Sequence, residues 1–166
     1  MKNEIIFRKA QDSDWKKYKD IRLAALLYSP DAFGSSYEKE SKLTDDDWKN
    51  FLKKGSNFYF AFDKGQPVGL IGYFTKSDQP DSRYIFSMWV HFEYRNKSIG
   101  QILVENVILA ATQEDAHSLI TGYASSNSRA KDFYIKLGFT ETGRSIPLER
   151  DPHVQEIEMI KIIQEN

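Results

Sequence analysis

The sequence predicts an α/β (α+β) fold built on a mixed sheet, in one domain spanning residues 1–166. Three observations lead there. The chain has 166 residues, 40% hydrophobic and 14% aromatic, a globular composition with length enough to bury a sizeable core. A β-rich run, an apolar-periodic helix and a second β-rich run follow one another over 84–124. Such a β-α-β unit implies a right-handed crossover and a parallel strand pair. Strand-like runs on either side are joined by turn-rich segments, DKGQ at 63–66 and LERDPH at 148–153, so those pairs read as antiparallel hairpins.

The elements follow in order. Ile5–Arg8 is short and β-rich. Asp12 is placed to cap a helix whose Trp15, Tyr18, Ile21 and Ala25 share one face. Ser29-Pro30-Asp31 ends that helix, because the residue before a proline is pushed out of helical geometry. AFGSSYEKESKL, 32–43, is polar and irregular. Thr44 caps a second helix through Trp48, Phe51 and Leu52, stopped by Gly55. Phe58–Phe62 and Val68–Phe74 are strands, KSDQPDSR at 76–83 is a loop, and Tyr84–His91 is a fourth strand. Gly100–Ala111 is a helix with Leu103, Val107 and Ala110 or Ala111 on one face. Leu119–Ala124 is a strand, and Ser128–Leu137 a helix stopped by Gly138. Thr140–Ile146 and Val154–Ile163 complete the sheet.

Composition excludes several functions. There is no cysteine, hence no disulfide framework, no cysteine-ligated zinc and no cysteine nucleophile. The net charge of −1 recruits neither nucleic acid nor an anionic membrane, so any anion site must be local. The three histidines, His91, His117 and His153, have no metal-ligand spacing, and no metal is expected. No apolar run approaches a membrane span, and the start lacks the apolar core of a signal peptide. The expected location is cytoplasmic.

Local positive character appears where the fourth strand gives way to a helix. The loop Arg95-Asn96-Lys97-Ser98-Ile99-Gly100 supplies two cations and a glycine beside a helix N-terminus, whose free N–H groups and partial positive charge suit a phosphate. Neither the dinucleotide fingerprint nor the Walker loop is present. After the next strand comes NSRAKDFYIKLGF, 127–139. Together the two segments resemble the Gcn5-related N-acetyltransferase (GNAT) superfamily. Its loop pattern Arg/Gln-x-x-Gly-x-Gly/Ala aligns with Arg95 to Gly100. Its pattern Asn-x-x-Ala-x-x-Phe-Tyr-x-x-x-Gly-Phe is met by Asn127, Ala130, Phe133, Tyr134, Gly138 and Phe139. DIRLAALLYSPDAFGSS, 20–36, looks like the first helix and loop of small bacterial members.

The resemblance implies a mostly antiparallel sheet of six to seven strands, flanked by about four helices around a central β-α-β acetyl-CoA unit. It implies transfer of an acetyl group from acetyl-CoA to a primary amine of a small molecule, or of a peptide or protein N-terminus, by direct attack. A non-catalytic acyl-CoA-binding or sensing protein of the same fold is the alternative. The cofactor contacts it implies are Met88, Trp89 and Val90 on a splayed fourth strand, then Arg95, Asn96, Lys97, Ser98, Ile99, Gly100 and Gln101, with Asn127, Ala130 and Tyr134. Tyr134 is the general acid for the thiolate. Glu38 and Glu93 are candidate bases, with Glu40 and His91 nearby in sequence, and water can serve instead. Ser98 stands where the family usually has glycine; Ser98 and Gln101 fit an S-x-x-Q capping box. The acceptor pocket is expected from 28–43, 76–83 and 147–153, with Phe33, Tyr37 and the acidic Asp31, Glu38 and Glu40 as lining. A homodimer through the final strands is a further expectation.

Overall fold

The structure, a computed structural model, describes residues 4–53 and 57–165. The expected helix stop at Gly55 lies outside the described residues. Strand β1 (Ile6–Lys9) leads into a 3-10 turn and helix α1 (Trp15–Tyr28). A helical turn α2 (Tyr37–Glu40) and helix α3 (Asp45–Lys53) follow. Then come β2 (Asn57–Asp63), β3 (Gln66–Lys76), β4 (Gln79–Val90), α4 (Ile99–Gln113) and β5 (Ser118–Ala124). Helix α5 (Ser128–Lys136), β6 (Thr140–Pro147) and β7 (Gln155–Ile162) end the described chain.

The strands form one seven-stranded sheet in the order β1-β2-β3-β4-β5-β7-β6. Every neighbouring pair is antiparallel except β4 and β5, as the central β-α-β unit requires. The β2–β3 hairpin turns through Lys64 and Gly65, both at positive φ, the geometry of a two-residue hairpin that follows the strand twist.

β7 inserts between β5 and β6, leaving β6 at the edge. The sequence explains the order. β7 carries Met159, fully buried, at its centre, whereas TETGRSIP is polar, holds Gly143 and ends in proline, and is exposed along nearly its whole length. Such residues suit a strand with one solvent-facing ladder.

Each face of the sheet has its own core. On one side α4 and α5 bury Leu103, Val104, Val107 and Tyr134 against Ile71, Leu119 and Met159. On the other, α1 and α3 bury Tyr18, Ile21, Leu26 and Trp48 against Phe58, Phe60 and Leu70. Tyr18 meets Trp48 edge-on and Phe58 at a tilt, with ring centroids 5.6 and 4.6 Å apart. The expected apolar stripe of α1 is therefore real.

Three local expectations change. Residues 76–83 are not one loop: β3 runs to Lys76 and β4 begins at Gln79, because pairing of Gln79 with β3 and of Ser82 and Arg83 with β5 carries polar residues that propensity alone leaves unassigned. The irregular front segment holds the helical turn α2, capped by Ser36, whose Oγ accepts from the Lys39 N–H at 3.2 Å. The start of α1 is organised by Asp14 rather than Asp12. Asp14 is 3% exposed; it accepts two hydrogen bonds from Arg8, at 2.7 and 2.9 Å, and one from the Gln11 N–H at 2.8 Å. The Thr44 cap is as expected: its Oγ1 accepts from the Asp47 N–H at 3.2 Å while Asp47 accepts from the Thr44 N–H at 2.8 Å.

Arg8, helped by the Gln11 N–H, holds the Asp14 carboxyl down at about 2. A carboxyl whose pKa is lower folded than unfolded stabilises the fold above its unfolded value and loses that contribution as pH falls through the folded one. Asp14→Asn is therefore expected to cost roughly 2 kcal/mol at pH 7 and far less near pH 2. Denaturant unfolding at both pH values checks it.

Candidate active site

β4 and β5 pair only over Ser82–Tyr84 and Ser118–Ile120. Beyond that point they part. On its other edge β4 stays paired with β3, but with a bulge: Leu70 lies opposite Trp89 and Gly72 opposite Phe86, so Ser87 and Met88 together face Ile71. Ser87 takes φ +53°, and an extra residue of this kind bends the strand. Arg22 of α1 steadies the bulge. Its Nη1 donates to Ser87 Oγ at 3.2 Å, and its Nε and Nη2 donate to the Glu40 carboxylate at 2.8 and 2.6 Å. The Arg22 guanidinium also lies 4.9 Å from the centre of the Phe33 ring.

The parting opens a cavity of about 240 Å³. Its walls include Ser87 and Met88 of β4, Thr121 and Gly122 of β5, Tyr134 of α5 and Glu156 of β7. Arg22, Phe33 and Leu148 close it on the α1 side. The front segment is tied over this end by Arg150, whose Nε donates to the Phe33 carbonyl at 3.0 Å.

Two helices begin beside the cavity, α4 at Ile99 and α5 at Ser128, at the ends of the strands that separate. Asn127 caps α5, its Oδ1 accepting from the Ala130 N–H at 3.1 Å. The far end of α5 stops at Gly138, φ +87°, where the Phe139 N–H bonds back to the Tyr134 carbonyl at 3.0 Å. This stop, with Phe139 buried beneath it, fixes the turn that carries Tyr134. The Tyr134 ring is almost fully buried. Burial pushes its hydroxyl up to about 12, and the nearby Thr121 side chain pulls back slightly. Tyr134 is thus a protonated donor throughout the neutral range.

The loop before α4 differs from expectation at Ser98. No capping box forms. Ser98 sits at φ +60°, ψ 10°, with no side-chain hydrogen bond to the helix, and Gln101 turns to Glu105 Oε1 at 2.8 Å. The left-handed backbone is the reason, since a capping serine has extended geometry. Asn96 is also left-handed, φ +61°, and such turns gather backbone N–H groups into anion-binding concavities. Gly100 serves packing: a Cβ there would meet Met88 Cε at 2.9 Å and the Phe133 ring at 3.1 Å.

Arg95 turns inward, its Nε donating to the Val90 carbonyl at 2.9 Å and Nη2 to Ser29 Oγ at 3.3 Å. Burial, then the charge of Arg129, lowers its pKa. Arg129 was not singled out by the sequence reading. It lies exposed in the first turn of α5 with no ion pair among the described residues, near enough for its charge to act on Arg95. The signal was present as the third residue of NSRAKDFY. Lys97 lies exposed over the Tyr94 ring, 5.0 Å from its centre. Trp89 is a core residue, its Nε1 donating to Ser29 Oγ at 2.9 Å. Ile99 is buried as well.

The candidate bases do not reach the cavity. Glu38 is exposed beside Lys42 at 3.4 Å, and Glu93 is exposed beside His91. The expected acidic lining is also engaged: Asp31 faces Arg150 at 3.7 Å, and Glu40 is half-buried against Arg22. Tyr37 is exposed, and residues 76–83 border a separate cavity of about 410 Å³ with Arg144 and Glu158. The carboxylate that does line the cleft is Glu156. Sequence reasoning passed over it because QEIEMIKI reads as an ordinary strand; its alternating acids opposite a buried Met159 were the available signal.

The site is thus a parallel strand pair that parts beside two helix N-termini, with Tyr134 and Glu156 in the walls of the gap. Residues 21–139 match the Acetyltransferase (GNAT) family, and the chain belongs to it. The rat protein N-acetyltransferase 8 is 26% identical over 118 residues, covering 59% of this chain and 53% of that one. The chain thus spans about half the length of the curated relatives it matches. A GNAT-family acetyltransferase from Streptococcus pneumoniae superposes with a TM-score of 0.81 at 20% identity, covering 97% of this chain and 100% of that one. A Salmonella typhimurium structure solved with its cofactor acetyl-CoA gives 0.79 at 18% identity, covering 98% and 96%. These structures share the fold. Among the described residues no helix is long and apolar enough to cross a membrane.

A left-handed serine costs roughly 1 kcal/mol against glycine. Ser98→Gly is therefore expected to raise the melting temperature by about 2–4 °C, read by thermal unfolding without ligand.

Proposed function

We propose that this chain transfers an acetyl group from acetyl-CoA to a primary amine, on a small molecule or at a peptide or protein N-terminus, by direct attack in a ternary complex. The observation that carries the reading is the cleft itself. β4 and β5 part where Tyr134 faces the gap, and the left-handed loop of α4 lies at its end. The residues fit the cofactor. The turn from Arg95 to Gly100, with Gln101 in the first turn of α4, offers backbone N–H groups to a pyrophosphate, and Arg95 and Arg129 add charge to an otherwise near-neutral protein. Backbone of Met88 to Val90, unpaired toward β5, can take up the amide groups of the pantetheine arm. Asn127 and Ala130 border its path.

Acetyl-CoA supplies the activated acyl group. With no cysteine in the chain, the acyl group passes to the amine without a cysteine acyl-enzyme. Tyr134, protonated at neutral pH, gives its proton to the departing thiolate. The rat N-acetyltransferase relatives and the acetyl-CoA-bound neighbour are consistent with this chemistry.

Thiol release from acetyl-CoA should depend on an amine drawn from a panel. Tyr134→Phe should slow it on the order of 10²-fold, with CoA affinity unchanged. CoA at ~100 times its dissociation constant should add about 2.7 kcal/mol of stability, and Ser98→Gly should bind CoA equally or more tightly. A chain stabilised by acetyl-CoA that no amine prompts to release thiol would instead be an acyl-CoA-binding or sensing protein.

A further inference from the structure

The acids of the front segment are each matched to a cation, but Glu156 is not. It lies on β7 opposite Ala124 of β5, and among the described residues no hydrogen bond or ion pair holds its carboxylate. Its position depends on Gly122. A Cβ at residue 122 would sit 2.3 Å from Glu156 Oε1 and 2.7 Å from its Cγ. Gly122 lies inside a central strand, where glycine weakens the sheet and marks a close approach. Its backbone is not left-handed, so the glycine serves space alone. The missing side chain is the notch through which the Glu156 carboxylate reaches the cavity.

Successive residues of a strand face opposite sides of its sheet. Thr121 faces Tyr134 on the α5 side, so Gly122 and the carboxylate leaning over it belong to the α1 side. Tyr134 and Glu156 thus enter one cavity from opposite faces of the gap between β4 and β5. We propose that Glu156 receives the proton of the acceptor amine, acting across the gap from Tyr134. The inference rests on the transferase reading given above.

The step balances. The lone pair of the neutral amine forms the N–C bond at the acetyl carbonyl carbon. The C–S bond breaks, and sulfur takes the Tyr134 hydroxyl proton. The surplus proton on nitrogen passes to Glu156, directly or through one water. Solvent then returns one proton from Glu156 to Tyr134, and the products are the acetamide and free thiol. Burial raises the Glu156 pKa, and the negative charge of Glu158 on the same strand raises it further, while Lys76 of β3 pulls it down. Arg22 of α1 and Tyr134 of α5 also line the cavity. A base acts only when deprotonated, so the rate should fall as pH drops through a value above the ordinary carboxylate range.

The test compares wild type, Glu156→Gln, Glu156→Asp and Gly122→Ala in amine-dependent thiol release across pH, with thermal stabilisation by CoA measured in parallel. Glu156→Gln is expected to lower kcat/KM for the amine on the order of 10²-fold and to lose the acidic limb, with CoA stabilisation unchanged. Glu156→Asp should keep the limb and recover part of the rate. Gly122→Ala, which fills the notch and leaves the carboxylate intact, should lower kcat at unchanged CoA stabilisation. Wild-type rate and an unaltered acidic limb in Glu156→Gln would overturn the inference alone. A wild type that binds CoA but releases thiol with no amine would overturn the transferase reading, and the inference with it.

Discussion

The parting of β4 from β5 is the constraint on which the rest of the structure depends. A parallel pair held for only three residues on each strand gives up ladder hydrogen bonds in the middle of a sheet, and backbone groups there must find other partners, as the Val90 carbonyl does in Arg95. The protein holds this arrangement by fixing β4 from its other edge. The bulge at Ser87 and Met88 turns the strand, and the Arg22–Glu40 pair anchors the bulge to α1 and α2. The result is a strand edge in the centre of a sheet that β5 does not cover.

Charge is arranged with similar economy. The whole chain is near neutral, so it has no long-range field with which to gather an anion. Positive character is instead local, where α4 and α5 begin: two helix N-termini, the left-handed turn, and Arg95 with Arg129 near enough for its charge to act on it. Negative charge lies on the α1 side of the cavity. There Arg150, Lys42 and Arg22 pair with Asp31, Glu38 and Glu40, whereas Glu156, in the cavity wall, has no such partner among the described residues.

Much of this was legible along the chain because it is local. Lys64-Gly65 makes a hairpin, Thr44 caps one helix, and Gly138 stops another. In each the partners lie within a few residues, so spacing alone reports the contact. The parallel pair was legible too, since a strand, helix and strand in succession leave few connections open. Where reading failed, a second chain segment decided. Asp14 displaced Asp12 at the start of α1 because Arg8, from the preceding strand, reaches it. Ser98 lost its capping role to a backbone conformation that the letters S-I-G-Q do not disclose. Residues 79–83 became strand because β3 holds Gln79 and β5, a distant segment, holds Ser82 and Arg83.

By itself, the sequence determined the order of elements, the parallel pairing within the β-α-β unit and the loop-to-helix motif by which the chain resembles its family. All three follow from periodicity and local backbone preference, which act over a turn of helix or a pair of strands. Only the tertiary structure decided that β7 lies between β5 and β6. That placement sets Glu156 over Gly122, residues 34 positions apart, and so decides which carboxylate faces the cleft. The physical reason is strand register: the contact exists only when β7 pairs with β5 in one alignment, set by burying Met159 and Ile157 against α4 and α5.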